Sequence, residues 1–256
     1  MLVQGKTAFV AGLANKNSIA WGVTQSLLRE GVEKIAFSYQ ARFEKNVRKL
    51  VEDIPNALMV EADVTDAASL DNAFAAIERE FGGLDILVHS IAAAKPDDLG
   101  VDFVETSRDG FLFAQDISAY SLVELSRRAA PLMEKNGGGS IVCMTYLGGE
   151  RVTEGYNVMG VAKASLEMSM RYLANDLGPK NIRVNALSPG PLNTISARGV
   201  SGLRDLFTLM EKRAPLRRNV SIEEVGDVAV FLLSDLSRAV TGQVVFVDNG
   251  FSILGA

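Results

Sequence analysis

Residues 7–40 read TAFVAGLANKNSIAWGVTQSLLREGVEKIAFSYQ and contain one complete strand–helix–strand unit. Both ends of this stretch include short, nearly continuous apolar runs, as expected of strands that are covered on both faces. Between them, Ile19–Glu30 has apolar residues three and four positions apart, which is the period of an amphipathic helix. Gly31 follows as a helix terminator. The stretch therefore predicts two parallel strands joined by a crossover helix.

The same alternation continues along the whole chain without a compositional break or a linker. The predicted strands are Lys6–Ala11, Ile35–Tyr39, Ala57–Glu61, Asp85–His89, Ser140–Met144, Ile182–Leu187 and Gln243–Asp248. The predicted helices are Ile19–Glu30, Phe43–Asp53, Ala67–Phe81, Ser118–Lys135, Tyr156–Leu177 and Ile222–Leu233. We therefore expect residues 1–256 to form a single doubly wound, Rossmann-like α/β domain, with a seven-stranded, mainly parallel sheet and helices on both faces.

Two local patterns refine this prediction. Ser221 followed by Glu224 has the spacing of a capping box at the start of the last helix. The irregular segment 188–202 contains two prolines, three glycines and several small residues. Because long loops in α/β proteins are often functional, we expect a lid over a binding site at about residues 188–207.

The composition excludes several classes of protein. With 26 basic and 31 acidic residues the net charge is −5, and no lysine-rich run indicates a nucleic-acid partner. A single cysteine and a single histidine exclude an internal disulfide framework and a Cys/His metal site. The apolar stretch Thr7–Ala14 is too short to span a membrane and lacks the basic start of a signal peptide. We expect a cytoplasmic protein, or a plastid protein if a transit peptide has been removed.

The loop after the first strand has the pattern Gly12-x5-Ser18-x-Ala20-x-Gly22. A glycine allows the backbone to approach a pyrophosphate, and the start of a helix offers free N–H groups to an anion. Ser18 is the predicted N-cap, and Ile19 follows it. The pattern is looser than the common GxGxxG fingerprint, so a purely structural turn explains it equally well.

Polar residues also follow the next strands, at the edge where parallel sheets bind ligands. Gln40 stands where an acidic residue usually holds the adenosine ribose, and Arg42 would favour a 2′-phosphate if it is not simply solvated. Asp63 and Val64 end the third strand, where a carboxylate can accept a hydrogen bond from adenine. His89 is interpreted as a structural residue at the end of a strand, with its ring nitrogens hydrogen-bonded, rather than as a catalyst.

Tyr156 and Lys163 are seven residues apart, which places them within about 20° of each other around a helix. An ammonium group near a phenol lowers the pKa of the phenol, which then becomes a better proton donor. Tyr146 follows the fifth strand, close to the same edge of the sheet. The alternative interpretation is a surface lysine with two packing tyrosines, and the spacing alone does not reject it.

Over essentially the whole chain the sequence resembles the short-chain dehydrogenase/reductase superfamily, and within it the divergent branch of bacterial and plastid enoyl-acyl carrier protein reductases. The matching stretches are Gly12-x5-Ser18-x-Ala20-x-Gly22, Asp63-Val64, His89-Ser90-Ile91, Tyr146-Leu147-Gly148, Tyr156-Asn157-Val158-Met159-Gly160, Ala162-Lys163-Ala164-Ser165, Arg183-Val184-Asn185-Ala186, Gly190-Pro191 with Thr194, and Gly250-Phe251-Ser252-Ile253. Ordinary members carry a tyrosine four residues before the lysine and a serine thirteen residues before that tyrosine. Here the tyrosine position holds Met159, which cannot protonate a ketone, and the serine position holds Tyr146.

The resemblance implies hydride transfer from NADH to the β-carbon of a trans-2-enoyl thioester, with NADPH a less favoured donor. It assigns the enolate oxygen to Tyr156, the nicotinamide ribose to Lys163, and the substrate side to Tyr146. The implied cofactor residues are Gly12, Ser18, Ile19, Gln40, Asp63, Val64, Ile91, Lys163, Leu192, Asn193, Thr194, Ile195 and Ser196. The implied substrate residues are Ala94, Tyr146, Met159, Ala197, Leu203 and Leu206.

The implied partners are an acyl carrier protein that bears the enoyl chain and further copies of this chain in a homotetramer. Relatives often present a basic cluster beside the lid, where this sequence has Arg204 between Leu203 and Asp205, with Lys212 and Arg213 further on. Two other functions stay open. One is a short-chain reductase or dehydrogenase for another small substrate, and the other is a nucleotide-binding regulator without turnover.

Overall fold

Parallel strands in one sheet form the centre of the molecule. The structure is a computed structural model that describes residues 1–194 and 203–255. Within these residues the strands are β1 Thr7–Ala11, β2 Lys34–Tyr39, β3 Ala57–Glu61, β4 Ile86–His89, β5 Gly139–Met144, β6 Ile182–Pro189 and β7 Val244–Val247. Every strand pair is parallel, and the seven strands have the order β3-β2-β1-β4-β5-β6-β7. The predicted sheet is confirmed.

The order of the strands creates a crevice at the carboxyl ends of β1 and β4. The chain moves outward from β1 through β2 to β3 and then returns to place β4 on the other side of β1. Val10 pairs with Val88 and Ala11 with His89, so the two strands end side by side. Connections that leave a sheet in opposite directions separate the loops above it, and this is where such sheets bind ligands.

Helices cover both faces of the sheet. In the described part of the chain they are α1 Ile19–Arg29, α2 Glu44–Val51, α3 Ala67–Phe81, α4 Arg108–Gln115, α5 Ser121–Lys135, α6 Asn157–Leu177, α7 Leu203–Arg213 and α8 Ile222–Leu233. One apolar cluster joins the sheet to α3, α5 and α6, and a second joins it to α1, α2 and α8. Along β1, Phe9 belongs to the first cluster and Val10 to the second, as the alternation of side chains in a strand requires. None of these helices is long and apolar enough to cross a membrane.

The helix predictions are confirmed with shifts of a few residues. Two helices of the structure, α4 and α7, are not among the predicted ones. α4 reads RDGFLFAQ and contains Gly110 and four consecutive apolar residues, so it lacks a helical period. α4 continues through one π turn at Asp116–Tyr120 into α5, which places the helical region well before the predicted start at residue 118. The predicted capping box at the start of α8 is present, with both of its hydrogen bonds.

The predicted lid at about residues 188–207 begins in β6 and ends in α7, and its closure over a site stays a prediction. Residues 188 and 189 are the last residues of β6, and residues 203–207 belong to α7. Only 190–202 connects these two elements, and residues 195–202 of this connection lie outside the described residues.

α1 and α8 pack closely on one face of the sheet because two glycines meet there. A Cβ atom at Gly22 would lie 2.3 Å from the carbonyl oxygen of Ile222, and one at Gly226 would lie 2.5 Å from the carbonyl oxygen of Gly22. The sequence pattern that suggests a pyrophosphate site ends at Gly22, within the first turns of the predicted helix Ile19–Glu30. In the structure Gly22 gives α8 room against α1.

Candidate active site

A cavity of about 500 Å³ lies at the carboxyl ends of β1, β4, β5 and β6. Its wall is formed by the segments that follow these strands and by the start of α6. The described residues that line it are Gly12, Ala14, Asn15, Ser18, Ile19, Ser90, Ile91, Ala92, Ala93, Ala94, Pro96, Leu99, Met144, Thr145, Tyr146, Tyr156, Met159, Lys163, Pro189, Gly190, Pro191, Leu192, Thr194 and Leu206. A concave site with mainly apolar walls and a few convergent polar groups is typical of a cofactor or small-molecule site.

At one end of the cavity, the loop after β1 approaches the loop after β4. Gly12 has a φ angle of +103°, and a Cβ atom on it would lie 2.1 Å from the carbonyl oxygen of Ser90. Its N–H donates to Ser38 Oγ at 3.1 Å. Only glycine fits this backbone conformation and this close approach. The glycine predicted for a nucleotide site therefore lets the two loops meet at the floor of the cavity.

Ser18 stands at the N-terminus of α1, but its side chain does not cap the helix. Ser18 Oγ instead donates to the carbonyl oxygen of Asn15 at 2.6 Å, which closes the preceding turn. The prediction that Ser18 is the N-cap residue of α1 is confirmed, although its side chain makes no capping hydrogen bond. Ser18 and Ile19 both line the cavity, so the positive end of the α1 dipole faces it.

Three predicted cofactor residues lie at the same edge of the sheet but outside the wall of this cavity. Gln40 follows β2, and its Oε1 accepts a hydrogen bond from Arg42 Nε at 3.1 Å. Asp63 Oδ1 accepts hydrogen bonds from the N–H of Thr65 at 2.9 Å and from its hydroxyl at 2.7 Å. Val64 is packed in the apolar cluster beneath α3. Their contacts with a cofactor remain predictions.

Tyr146 and Tyr156 meet at the other end of the cavity. Tyr146 lies two residues beyond β5, and Tyr156 is the residue before α6. Their rings stand edge to face at 65°, with centroids 5.0 Å apart. Gly148 leaves room for this arrangement, because a Cβ atom on it would lie 2.5 Å from the ring of Tyr156.

The expected lowering of the phenol pKa is wrong. Burial raises the pKa of Tyr156 far above its usual value, and the neighbouring Tyr146 raises it further. Burial also raises the pKa of Tyr146. The cost of moving a phenolate out of water exceeds the attraction that a nearby ammonium group offers. Both hydroxyls stay protonated at neutral pH and are able to donate hydrogen bonds into the cavity.

Lys163 lies on α6 and reaches the same cavity, so the prediction that it converges with Tyr156 is confirmed. The residue is buried, with 4% of its surface exposed, and Nζ donates to the carbonyl oxygen of Met144 at 2.8 Å. Burial lowers its pKa to about 8, while Cys143 and Glu167 act in the opposite direction. At neutral pH the side chain is mostly a charged ammonium group inside the cavity wall.

Some of the predicted substrate residues line the cavity, and others lie outside the described residues. Ala94, Met159 and Leu206 line the cavity, and Met159 Sδ lies 3.8 Å from Ser118 Oγ. Leu203 is the first residue of α7. Ala197 and the predicted cofactor residues Ile195 and Ser196 lie outside the described residues. Of the predicted cofactor residues near this segment, Leu192 and Thr194 line the cavity and Asn193 lies between them.

Sequence reasoning missed several lining residues. Pro96 and Leu99 belong to the connection between β4 and α4, where no periodic pattern marks a side chain as facing a site. Thr145 stands beside Tyr146, and this position at the end of a central strand was the available signal. Its hydroxyl donates to Glu167 Oε1 at 2.6 Å.

His89 lies at the end of β4 and is completely buried. Nε2 lies 2.7 Å from Ser121 Oγ, but Nδ1 has no hydrogen-bond partner. The expectation that both ring nitrogens of His89 are hydrogen-bonded therefore holds for Nε2 and not for Nδ1. Burial lowers its pKa to about 3, with a contribution from Lys163, so the ring is neutral at physiological pH. Among the residues that the structure describes, no three His, Cys, Asp or Glu side chains form a group that could hold a metal ion.

These features together fit a dinucleotide. The glycine loop and the α1 N-terminus suit a pyrophosphate, the buried Lys163 suits ribose hydroxyls, and the apolar wall suits a nicotinamide ring. A doubly wound sheet with a phenol and a lysine beside such a site defines an oxidoreductase of the short-chain dehydrogenase/reductase type.

Comparisons with known proteins agree with this class. A family model described as enoyl-(acyl carrier protein) reductase matches residues 12–252. This chain belongs to that family. It is 52% identical to an NADH-type enoyl-acyl carrier protein reductase FabI of Bacillus cereus, over 99% of each chain. It is 50% identical to an NADPH-type FabI of Staphylococcus aureus, over 97% of each chain.

Solved structures give the same result. The crystal structure of the Bacillus cereus reductase with NADP⁺ and indole naphthyridinone has a TM-score of 0.96, covering 100% of this chain and 99% of that one. The NADH-type reductase of Aquifex aeolicus has a TM-score of 0.95 at 44% identity, covering all of both chains.

Proposed function

We propose that this protein is the enoyl-acyl carrier protein reductase of fatty acid synthesis that uses NADH. The observation that carries the proposal is the pair of half-buried tyrosines beside Lys163, with Met159 where ordinary superfamily members have their tyrosine. Methionine has no proton to give to a carbonyl oxygen, so alcohol–ketone chemistry lacks its acid. Tyr146 and Tyr156 both line the cavity at other positions of the sequence, and their hydroxyls suit the oxygen of an enoyl thioester better than they suit ketone reduction.

Bound NADH would supply a hydride to the β-carbon of the trans-2-enoyl thioester and leave as NAD⁺. Negative charge would then build on the thioester oxygen as an enolate, which takes up a proton at the α-carbon to give the saturated thioester. Tyr156 stabilises that oxygen with its hydroxyl, which burial keeps protonated. A fixed donor in a site with little water contributes strongly to transition-state stabilisation. Tyr146 lies edge to face against Tyr156, holds its ring in place and lines the substrate side.

Lys163 binds the hydroxyls of the nicotinamide ribose and adds positive potential beside the enolate. Its hydrogen bond to Met144 fixes the ammonium group at the end of β5. The rest of the cofactor site consists of Gly12, Ser18, Ile19, Gln40, Asp63, Val64, Ile91, Leu192, Asn193 and Thr194, together with Ile195 and Ser196. A Gln40 amide can bind the adenosine ribose without attracting a phosphate, which supports the preference for NADH.

The acyl chain occupies the apolar end of the cavity. Ala94, Met159 and Leu206 form this end, and Pro96 and Leu99 extend the predicted set. Ala197 and Leu203 complete it in the proposal, as part of a lid that excludes water. The substrate arrives on an acyl carrier protein, for which exposed cations near α7, such as Lys212 and Arg213, provide local positive charge.

We further propose that the protein is a cytoplasmic homotetramer in which residues 1–256 form one domain. Apolar side chains that are exposed along α6 support the assembly. Val161, Met168 and Tyr172 share one face of this helix and are 37%, 50% and 68% exposed. A stripe of this kind on a long helix is typical of an association surface.

The function is tested by following nicotinamide absorbance with crotonyl thioester and either NADH or NADPH. Oxidation of NADH by the enoyl substrate is expected. Turnover of ketones alone would support a reductase for another small substrate. Cofactor binding without turnover of any substrate would support a nucleotide-binding regulator.

A further inference from the structure

A buried carboxylate lies behind the wall of the cavity, one helical turn after Lys163. Glu167 is 3% exposed, and its Oε1 accepts a hydrogen bond from Thr145 Oγ1 at 2.6 Å. The turn above it packs closely, since a Cβ atom at Gly149 would lie 2.8 Å from the same oxygen. Because little water reaches this carboxylate, its charge acts strongly on neighbouring groups.

Glu167 and Lys163 hold consecutive residues at the end of β5. Lys163 Nζ donates to the carbonyl oxygen of Met144, and Glu167 accepts from the side chain of Thr145. The next residue in the chain is Tyr146. Two hydrogen bonds therefore join one face of α6 to the end of β5, directly before Tyr146. In the described structure the Lys163 ammonium group bonds Met144 and the Glu167 carboxylate bonds Thr145, with no ion pair between the two, so the carboxylate acts through its field and through the end of β5.

The charges around these two groups have opposing effects. Lys163 faces Glu167 on its own helix, Cys143 on β5 and His89 on β4. Burial lowers the pKa of Lys163, and Glu167 raises it. Glu167 faces Lys163, Glu150 and Arg171.

Thr145 opposes the effect of burial on the charge of Glu167. Burial raises the pKa of Glu167, while the hydrogen bond from Thr145 is the largest effect that lowers it. Thr145 therefore favours the ionised carboxylate, and the ionised carboxylate favours the ammonium form of Lys163.

We propose that Glu167 is a positioning residue of the reductase, whose carboxylate, anchored by Thr145, keeps Lys163 charged at the nicotinamide ribose. The inference rests on the proposed function for the contact between Lys163 and the ribose. The charge state of Lys163 itself can be measured without any substrate or cofactor, so the two proposals can fail separately.

The test is a pH titration of Lys163 by NMR, in protein labelled at the lysine side chains and free of cofactor. The Lys163 resonance is assigned by its absence in Lys163→Met. In Glu167→Gln we expect the apparent pKa of Lys163 to fall by about one pH unit, because a buried opposite charge is lost while the shape is kept. The alkaline loss of NADH affinity, measured by nicotinamide fluorescence, should move to lower pH by the same amount.

Thr145→Val is the second variant, and it carries the test if Glu167→Gln does not fold. It keeps the carboxylate but removes its hydrogen bond, so a smaller fall of the Lys163 pKa in the same direction is expected. Glu150→Gln is the matched control, because Glu150 is an exposed carboxylate near Glu167. This control should not lower the Lys163 pKa. An unchanged Lys163 titration in a folded Glu167→Gln or Thr145→Val variant, or an equal fall in Glu150→Gln, would overturn the proposal.

Discussion

At the scale of single residues, the site combines a half-buried phenol with a buried ammonium group. Burial acts on both in the direction of the neutral form, raising the pKa of Tyr156 and lowering that of Lys163. For Tyr156 the neutral form is the useful one, since only a protonated hydroxyl can donate to an enolate. For Lys163 the charged form is the useful one. The hydrogen bond to Met144 holds the ammonium group in place, and the negative charge of Glu167 favours that charged form.

Replacement of Tyr156 by phenylalanine should lower kcat with the enoyl thioester by about 10²- to 10³-fold, the usual cost of removing one oxyanion donor. NADH affinity should change little, because the hydroxyl acts on the substrate oxygen and not on the nucleotide. Steady-state kinetics and fluorescence titration with NADH measure the two quantities separately. Equal, small effects on both would contradict the role of Tyr156.

NADH affinity of the unmodified protein should weaken as the pH rises through about 8, the pKa to which burial lowers Lys163. Below this pH the side chain is an ammonium group and binds ribose hydroxyls, and above it the charge is lost. Lys163→Ala should bind NADH more weakly at neutral pH and should lose this alkaline dependence. Dissociation constants measured from pH 6 to pH 10 provide the check. The assignment fails if both proteins show the same pH profile.

At the scale of elements, contact between α1 and α8 depends on two glycines. Gly22→Ala would place a methyl group 2.3 Å from the carbonyl oxygen of Ile222, so the helices must separate. We expect a loss of stability of about 1–3 kcal/mol, the usual cost of overpacking. Gly178→Ala is the control, because a Cβ atom there meets nothing within 4 Å and its φ angle is −53°. Urea denaturation of both variants tests this, and equal midpoints would be inconsistent with the close packing.

The elements also show which local signals were sufficient for prediction. The seven strands, the helix Ala67–Phe81 and the capping box at Ser221 follow from apolar runs, helical periods and caps, which are all properties of short sequence windows. α4 was missed because its apolar residues are consecutive, and its continuation into α5 through a π turn has no sequence signal. Ser18 is the N-cap residue that the sequence predicts, but the helix-cap pattern does not show that its hydroxyl donates to the carbonyl oxygen of Asn15.

At the scale of the whole molecule, the exposed stripe on α6 bears on assembly. The double variant Met168→Glu with Tyr172→Glu places charges on this face and should dissociate the proposed tetramer into smaller species. Light scattering after size-exclusion chromatography measures the molar mass. Leu236→Glu is the control, since Leu236 is 61% exposed and lies away from α6. An unchanged molar mass of the double variant would show that this face is not an interface.

The amino-acid sequence alone determined the doubly wound fold, the class of cofactor and the convergence of Tyr156 with Lys163. The fold and the convergence depend on the period of apolar residues and on helix geometry, which act over a few residues, whereas the class of cofactor is what the family resemblance implies. Tertiary structure decided how the site works electrostatically: it partly buried the two phenols and raised their pKa values, joined Glu167 to Thr145, and placed Gly22 where α1 and α8 pack closely. Desolvation and close approach depend on what distant parts of the chain bring to a residue, and no local pattern contains that information.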